Sequence, residues 1–188
     1  MDKFNANKSI NTVRLEKLFL EKGIPKILRK KEYMVRQNEK TNHIGFVLSG
    51  IFRLTRIDTN GNEWIVGYSF KNDFVCDYPS LINKTAATVN IQATTDCEIY
   101  LLPLSELNQF WETDMDTQRL GRYIAETMFA EIYQRLLGFY CDSPEQRYQA
   151  LMKRCPNLQE LITLKEIALF LGVTPETLSR IRKKLQQK

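Results

Sequence analysis

Between Ile162 and Leu185 the chain reads ITLKEIALFLGVTPETLSRIRKKL, a stretch that admits few folds. Ile167, Ala168, Phe170 and Leu171 recur at helical spacing and predict the inward face of a first short helix. Gly172 follows where that helix must stop and the backbone must swing into a conformation that only glycine takes cheaply. Val173 is placed to plug the joint. Thr174 is a cap for a second helix with Pro175 at its first position, where a missing N–H costs nothing. Glu176 and Thr177 fill the first turn, and the Glu176 carboxylate suits the positive helix end. Leu178, Ile181 and Leu185 form the expected buried stripe, which leaves Ser179, Arg180, Arg182 and Lys183 for the outer faces.

An ordinary helical hairpin with a solvated basic face would show the same spacing, so the charge distribution matters. Residues 1–142 hold 18 Lys/Arg and 18 Asp/Glu, whereas residues 143–188 hold 9 and 4. The last 46 residues therefore carry all of the net charge of +5. Clustered cations interleaved with a regular apolar stripe are the footprint of a folded nucleic-acid-binding domain. A helix that buries one side and shows Thr, Ser and Arg on the other suits a DNA major groove.

A chain of 188 residues divides naturally into one medium and one small domain. No run approaches the roughly 18 apolar residues that span a bilayer. The N-terminal MDKFNANKSINTVRLEKLF lacks the apolar core of a secretory signal, so no leader and no membrane partner are expected. Cys76, Cys97, Cys141 and Cys155 have no close pairing. They suggest a reducing cytoplasm and thiols that mostly pack as small apolar groups.

Residues from about 11 to 23 read as a helix. From about 26 to 103 the period becomes that of strands, in runs such as GFVLSG, IFRLTRI, EWIVGYSF, ATVNIQA and CEIYLLP. Ser49-Gly50 and Asn60-Gly61 mark turns, the second being a standard hairpin dipeptide. Short strands at this spacing predict an antiparallel sandwich or jelly roll. A short helix is expected over 104–112 and a long one from about Met115 to Tyr140, capped by Thr113 or Asp114. Apolar residues at 120, 123, 124, 128, 129, 132, 133, 136 and 137 nearly encircle that long helix. Such a helix must be covered on two sides, by its own β domain and, most economically, by the same helix of a second subunit. Burial within one monomer is the alternative. Ser143 and Pro144 then start the next helix. The expected organisation is α+β: a β jelly roll with flanking helices over 1–114, a dimerisation helix over 115–141 and a helix-turn-helix domain over 142–188.

This layout resembles the family of the cyclic-AMP receptor protein and Fnr, the Crp/Fnr bacterial transcription regulators. The resemblance rests on HIGFVLSGIFRL with the NGNE turn, on ATTDCEIYLLP, and on the Ile162–Leu185 segment. It implies a homodimer whose two recognition helices enter successive major grooves of double-stranded DNA. RNA polymerase is a further partner it allows, through a patch the sequence does not place. Cyclic-nucleotide-binding members hold the ribose with a Glu that ends a Phe-x-Gly-Glu run, and the phosphate with an Arg and a hydroxyl residue. Here the run is Phe74-Val75-Cys76-Asp77, and the matching positions downstream are Ala87 and Thr88. Asp77 can still accept a ribose hydroxyl, but Ala87 cannot neutralise a phosphate, so cyclic-AMP control is not expected. Cys76, Asp77, Tyr78, Ala87 and Thr88 are candidate residues for another small-molecule effector, unless apolar packing has closed the site.

At the DNA end the resemblance puts Pro175, Glu176 and Arg180 at the reading positions. Glu176 suits cytosine N4 and Arg180 suits guanine O6 and N7. Thr174, Thr177, Ser179 and Arg182, with Lys183 beside them, are assigned to the phosphates. Family members usually continue into a β-hairpin wing, which this chain, ending at Lys188, is expected to lack. Neither the dispersed cysteines nor the single His43 suggests an iron–sulfur, haem or other metal cofactor. No nucleophile–base set suggests an enzyme. A sensing adaptor whose helical tail binds protein rather than DNA is the competing reading.

Overall fold

The computed structural model describes residues 12–186 and resolves into two compact units that divide within one helix, after Gln118. The N-terminal stretch inspected for a leader includes residues 1–11, which lie outside the described residues. Residues 187–188 also lie outside them.

The first unit opens with helix α1 (Val13–Lys22), followed by β1 (Ile24–Leu28), β2 (Tyr33–Val35), β3 (His43–Ser49), β4 (Phe52–Ile57), β5 (Glu63–Ser69) and β6 (Phe74–Val75). Helix α2 (Tyr78–Asn83), β7 (Asn90–Ala93), β8 (Cys97–Pro103) and α3 (Leu104–Trp111) complete it, before α4 (Met115–Cys141) begins. The strands form two four-stranded antiparallel sheets, in the orders β1-β8-β3-β6 and β2-β7-β4-β5. Pro25 sits on the edge strand β1, the kind of strand to which proline is confined within a sheet. Leu28, Val35, Val47, Phe52, Ile91 and Ile99 are among the buried residues of the core between the sheets. Phe19 of α1 packs its ring 5.1 Å from Phe74 and 6.0 Å from Phe46, so α1 closes one sheet with aromatic area.

Two turns show why this chain folds as it does. Gly50 has φ +87°, and a Cβ there would fall 2.4 Å from the Asp96 carbonyl oxygen, so only glycine fits. Asn60-Gly61 turns the β4–β5 hairpin as expected, within a five-residue loop. The organiser is Asp58: its carboxylate accepts from the backbone N–H groups of Asn60 and Asn62 and from the Trp64 indole. The Trp64 bond first, then those from Asn62, hold that carboxyl down at about 2.

The second unit contains the remainder of α4 with α5 (Pro144–Arg154), α6 (Leu158–Leu161), α7 (Leu164–Leu171) and α8 (Pro175–Gln186). Its buried residues include Tyr148, Leu151, Cys155, Leu158, Ile162, Ile167, Ala168, Phe170, Leu171 and Leu178. Two capping boxes start α5 and α7. Ser143 accepts from the N–H of Gln146 while Gln146 accepts from Ser143, and Thr163 and Glu166 repeat the exchange. Ser143 follows from the sequence. The Thr-x-x-Glu of the second box is an equally clear local signal.

Helix α4 is capped by Asp114, whose Oδ1 accepts from the N–H of Thr117 at 2.8 Å. Leu120 is buried and Tyr123 and Ile124 are half-buried. Met128, Phe129, Ile132, Tyr133, Leu136, Leu137 and Tyr140 are all exposed, Phe129 at 69 % and Tyr140 at 82 %. A single chain leaves this stripe open to water. No described helix is long and apolar enough to cross a membrane.

Candidate functional site

Two places carry the residues singled out in the sequence, one in each unit. In the β unit, Asp77 ends the loop after β6 and precedes α2. The residue is only 6 % exposed. Its Oδ2 accepts from the Ser80 hydroxyl (2.7 Å), the Thr88 N–H (2.6 Å) and the Thr88 hydroxyl (2.9 Å). Burial pushes this carboxyl up, but the bonds from Ser80 and Thr88 outweigh it and hold it below its ordinary value. Asp77 and Thr88 are therefore engaged with each other, knitting α2 to the segment before β7.

Ala87 faces the other way. It is 2 % exposed and belongs to the core cluster with Val35, Phe52 and Ile91. Its N–H donates to the Glu39 carbonyl and its carbonyl accepts from Asn38, both at 2.8 Å, so the backbone is clipped on both sides. From position 74 to 88 the chain's one cation is Lys84, exposed at the left-handed end of α2. Tyr78 is exposed and Cys76 half-buried. Burial first, and the neighbouring Asp77 carboxylate second, push the Cys76 thiol up to about 12, far from a reactive thiolate. Of the other thiols, Cys97 and Cys155 are buried, whereas Cys141 is exposed and departs from the expectation of packed cysteines. No group of three or more His, Cys, Asp or Glu that could hold a metal occurs among the described residues.

In the helical unit, α7 ends at Gly172, whose φ of +68° is the left-handed stop. The N–H of Val173 then donates to the Ala168 carbonyl at 3.0 Å. Thr174 caps α8, its hydroxyl accepting from the Thr177 N–H at 3.2 Å. Leu178 is wholly buried, with Ile181 and Leu185 half-buried beside it. Opposite them, Glu176, Ser179, Arg180 and Lys183 are all exposed, and their spacing of three, four and seven residues aligns them as one strip. The Glu176 carboxyl is held below its ordinary value by its own backbone N–H first, then by the Thr174 hydroxyl, with the Arg180 charge assisting.

Arg182, assigned by sequence to the phosphates, departs from this strip. It is half-buried beside the apolar stripe, and its Nη2 donates to Gln159 Oε1 at 2.9 Å. Lys184, which no sequence argument singled out, reaches Glu145 at 2.6 Å. Both contacts pin α8 to the helices beneath it. Pro175 and Thr177 are half-buried and Thr174 exposed, all at the helix start.

Comparison with known proteins agrees with this architecture. Residues 25–114 match the family described as the cyclic nucleotide-binding domain. No curated protein matches the chain in sequence. Among solved structures, FixK2 from Bradyrhizobium japonicum is similar with a TM-score of 0.74 at 16 % identity, over 88 % of this chain and 85 % of that one. A CooA mutant from Carboxydothermus hydrogenoformans reaches 0.72 at 16 %, over 100 % and 84 %. The c-di-GMP responsive global regulator CLP of Xanthomonas campestris reaches 0.65 at 18 %, over 93 % and 92 %. At such identities the likeness is one of fold. Residues 25–114 thus match the cyclic nucleotide-binding domain family, within a chain whose fold is similar to those of FixK2, the CooA mutant and CLP.

Proposed function

We propose that this protein is a homodimeric, sequence-specific DNA-binding transcription regulator whose β domain does not answer to cyclic AMP. The observation that carries the reading is the exposed strip of Glu176, Ser179, Arg180 and Lys183 on a helix whose opposite side is buried. Such a helix fits a major groove with its first turns at the base edges. Glu176 and Arg180 then read bases, while Thr174, Ser179 and Lys183 hold phosphates. Pro175 and Thr177 position the helix start, and Arg182 reaches phosphate only if it leaves Gln159. The exposed apolar stripe of α4 supports the dimer, since a second copy of the same stripe would cover it. The core position of Ala87 and the internal bonds of Asp77 support the loss of cyclic-AMP control.

Selection of bound duplexes from a random pool tests this. The expected product is a near-palindrome with half-sites about one helical turn apart. Arg180→Ala should relax base preference at one position per half-site, at a cost of about 1–3 kcal/mol, more than it lowers total binding. Selection of the same sequence by wild type and Arg180→Ala would refute that role, and no retention of any duplex would favour the protein-binding adaptor.

A further inference from the structure

The link between α4 and α5 is short and closely held. Only Asp142 and Ser143 join Cys141, the last residue of α4, to Pro144, the first of α5. Ser143 precedes a proline, which favours the extended ψ of 157° that it adopts. All four backbone polar groups of the link are bonded. The Asp142 N–H donates to the Gly138 carbonyl at 3.1 Å, and the Ser143 N–H to Gln146 Oε1 at 2.8 Å. The Ser143 carbonyl accepts from the Arg147 N–H at 3.0 Å, and the Asp142 carbonyl from Arg147 Nη1 at 2.8 Å.

Arg147 also reaches back to α4 through its guanidinium, which lies 5.3 Å from the centroid of the Phe139 ring. Arg135, one turn earlier on α4, lies 5.7 Å from the same ring and 4.0 Å over that of Phe170 on α7. Cation, ring, cation and ring thus alternate from α5 through α4 to α7, each pair close enough to attract. Phe170 is buried, so the ladder is anchored in the core of the helical unit. Its other ring meets the turn into α8, since a Cβ on Gly172 would sit 3.1 Å from Phe139. A two-residue link between helices is a natural place to bend. Here its backbone groups are tied and its flanking helices are stacked together.

We infer that Arg147 is a positioning residue for DNA recognition. Through Asp142 and Phe139 it holds α8 at one angle to α4, and so fixes the half-site separation that a dimer accepts. The inference rests on the dimeric, DNA-binding reading. Arg135 and Phe139 each precede a residue of the exposed stripe, Leu136 and Tyr140, and lie on the adjoining side of α4. One stretch of helix therefore carries both the surface assigned to the partner and the contacts that orient α8. In a two-fold pair, a swing of one helical unit about its link is repeated in the other. Base pairs are about 3.4 Å apart, so a swing of that size on each side changes the accepted separation by about two. A held link admits one separation, whereas a freed link admits several.

The test is selection from duplexes that carry two preferred half-sites at varied separations, with hydrogen exchange of the DNA-free protein as a second readout. Wild type should favour one separation about tenfold or more over those two base pairs longer or shorter. Arg147→Met keeps an apolar stem but loses the guanidinium. It should accept several separations within about threefold of one another, while each half-site keeps its base sequence. A merely structural role would instead weaken every duplex alike. Phe139→Leu, which keeps apolar bulk without a ring face, should act in the same direction and decides if Arg147→Met does not fold. Amides between Gly138 and Arg147 should exchange about tenfold faster in either variant than in wild type. A wild type indifferent to separation, variants as strict as wild type, or unchanged exchange would overturn the inference and leave the DNA reading standing. Retention of no duplex at any separation would defeat that reading, and the inference with it.

Discussion

Ala87 shows how much one side chain decides. A guanidinium at this position would lie in the core with Val35, Phe52 and Ile91. An uncompensated charge buried in such a place destabilises by about 3–5 kcal/mol. Ala87→Arg should therefore lower the denaturation midpoint without restoring calorimetric binding of cyclic AMP. Asp114 makes the opposite point, because its charge is used rather than avoided. It caps α4 through Thr117 and accepts from Arg14 Nη2 at 2.7 Å, one hundred residues away in sequence. The Arg14 bond first, then the Thr117 N–H, hold the Asp114 carboxyl down at about 2. A carboxyl that is more acidic folded than unfolded stabilises fully above its unfolded pKa of about 4, and that contribution fades as pH falls towards 2. Asp114→Asn keeps a capping side chain but removes the charge. Its melting temperature should be lower at pH 7 and should decline less than that of wild type between pH 5 and 2. The cap at Asp114 was legible locally, but nothing near it in sequence announced Arg14.

At the scale of elements, the helix boundaries were the most readable feature because they depend on groups three or four residues apart. Ser143, Gly172 and Thr174 each do in the structure what their local chemistry predicts. The hairpin after β4 is announced by Asn60-Gly61, whereas its five-residue length is set by Asp58 at the head of the loop. The bond from Arg182 to Gln159 was not legible because helical periodicity gives only an angle, and a half-buried angle can lead to solvent or to a neighbouring side chain. Helix α4 is the element whose environment a single chain does not supply. If a second copy covers its stripe, Phe129→Ser combined with Ile132→Ser should yield a monomer by analytical ultracentrifugation. Loss of the paired contact should then weaken operator binding about a hundredfold or more.

For the whole molecule, the division of labour follows the division of charge. The excess cations belong to the 46 residues that build α5 to α8, whereas the part containing the sheets is neutral. In the proposed regulator, DNA affinity should fall steeply with added salt through the few phosphate contacts of each subunit. In the two-sheet β unit Asp77 bonds Ser80 and Thr88, and Ala87 packs in the core.

By itself the sequence determined the strand-rich first part, the capped long helix, the left-handed stop at Gly172 and the basic face of α8. These depend on periodicity and on hydrogen bonds between near neighbours, which any short window of the chain contains. Only the tertiary structure decided which face of the cassette Ala87 occupies, that Arg14 meets Asp114, that Arg182 turns inward, and that Arg147 reaches back to Phe139. Those outcomes are set by which distant surfaces exclude water together, and no local pattern encodes that choice.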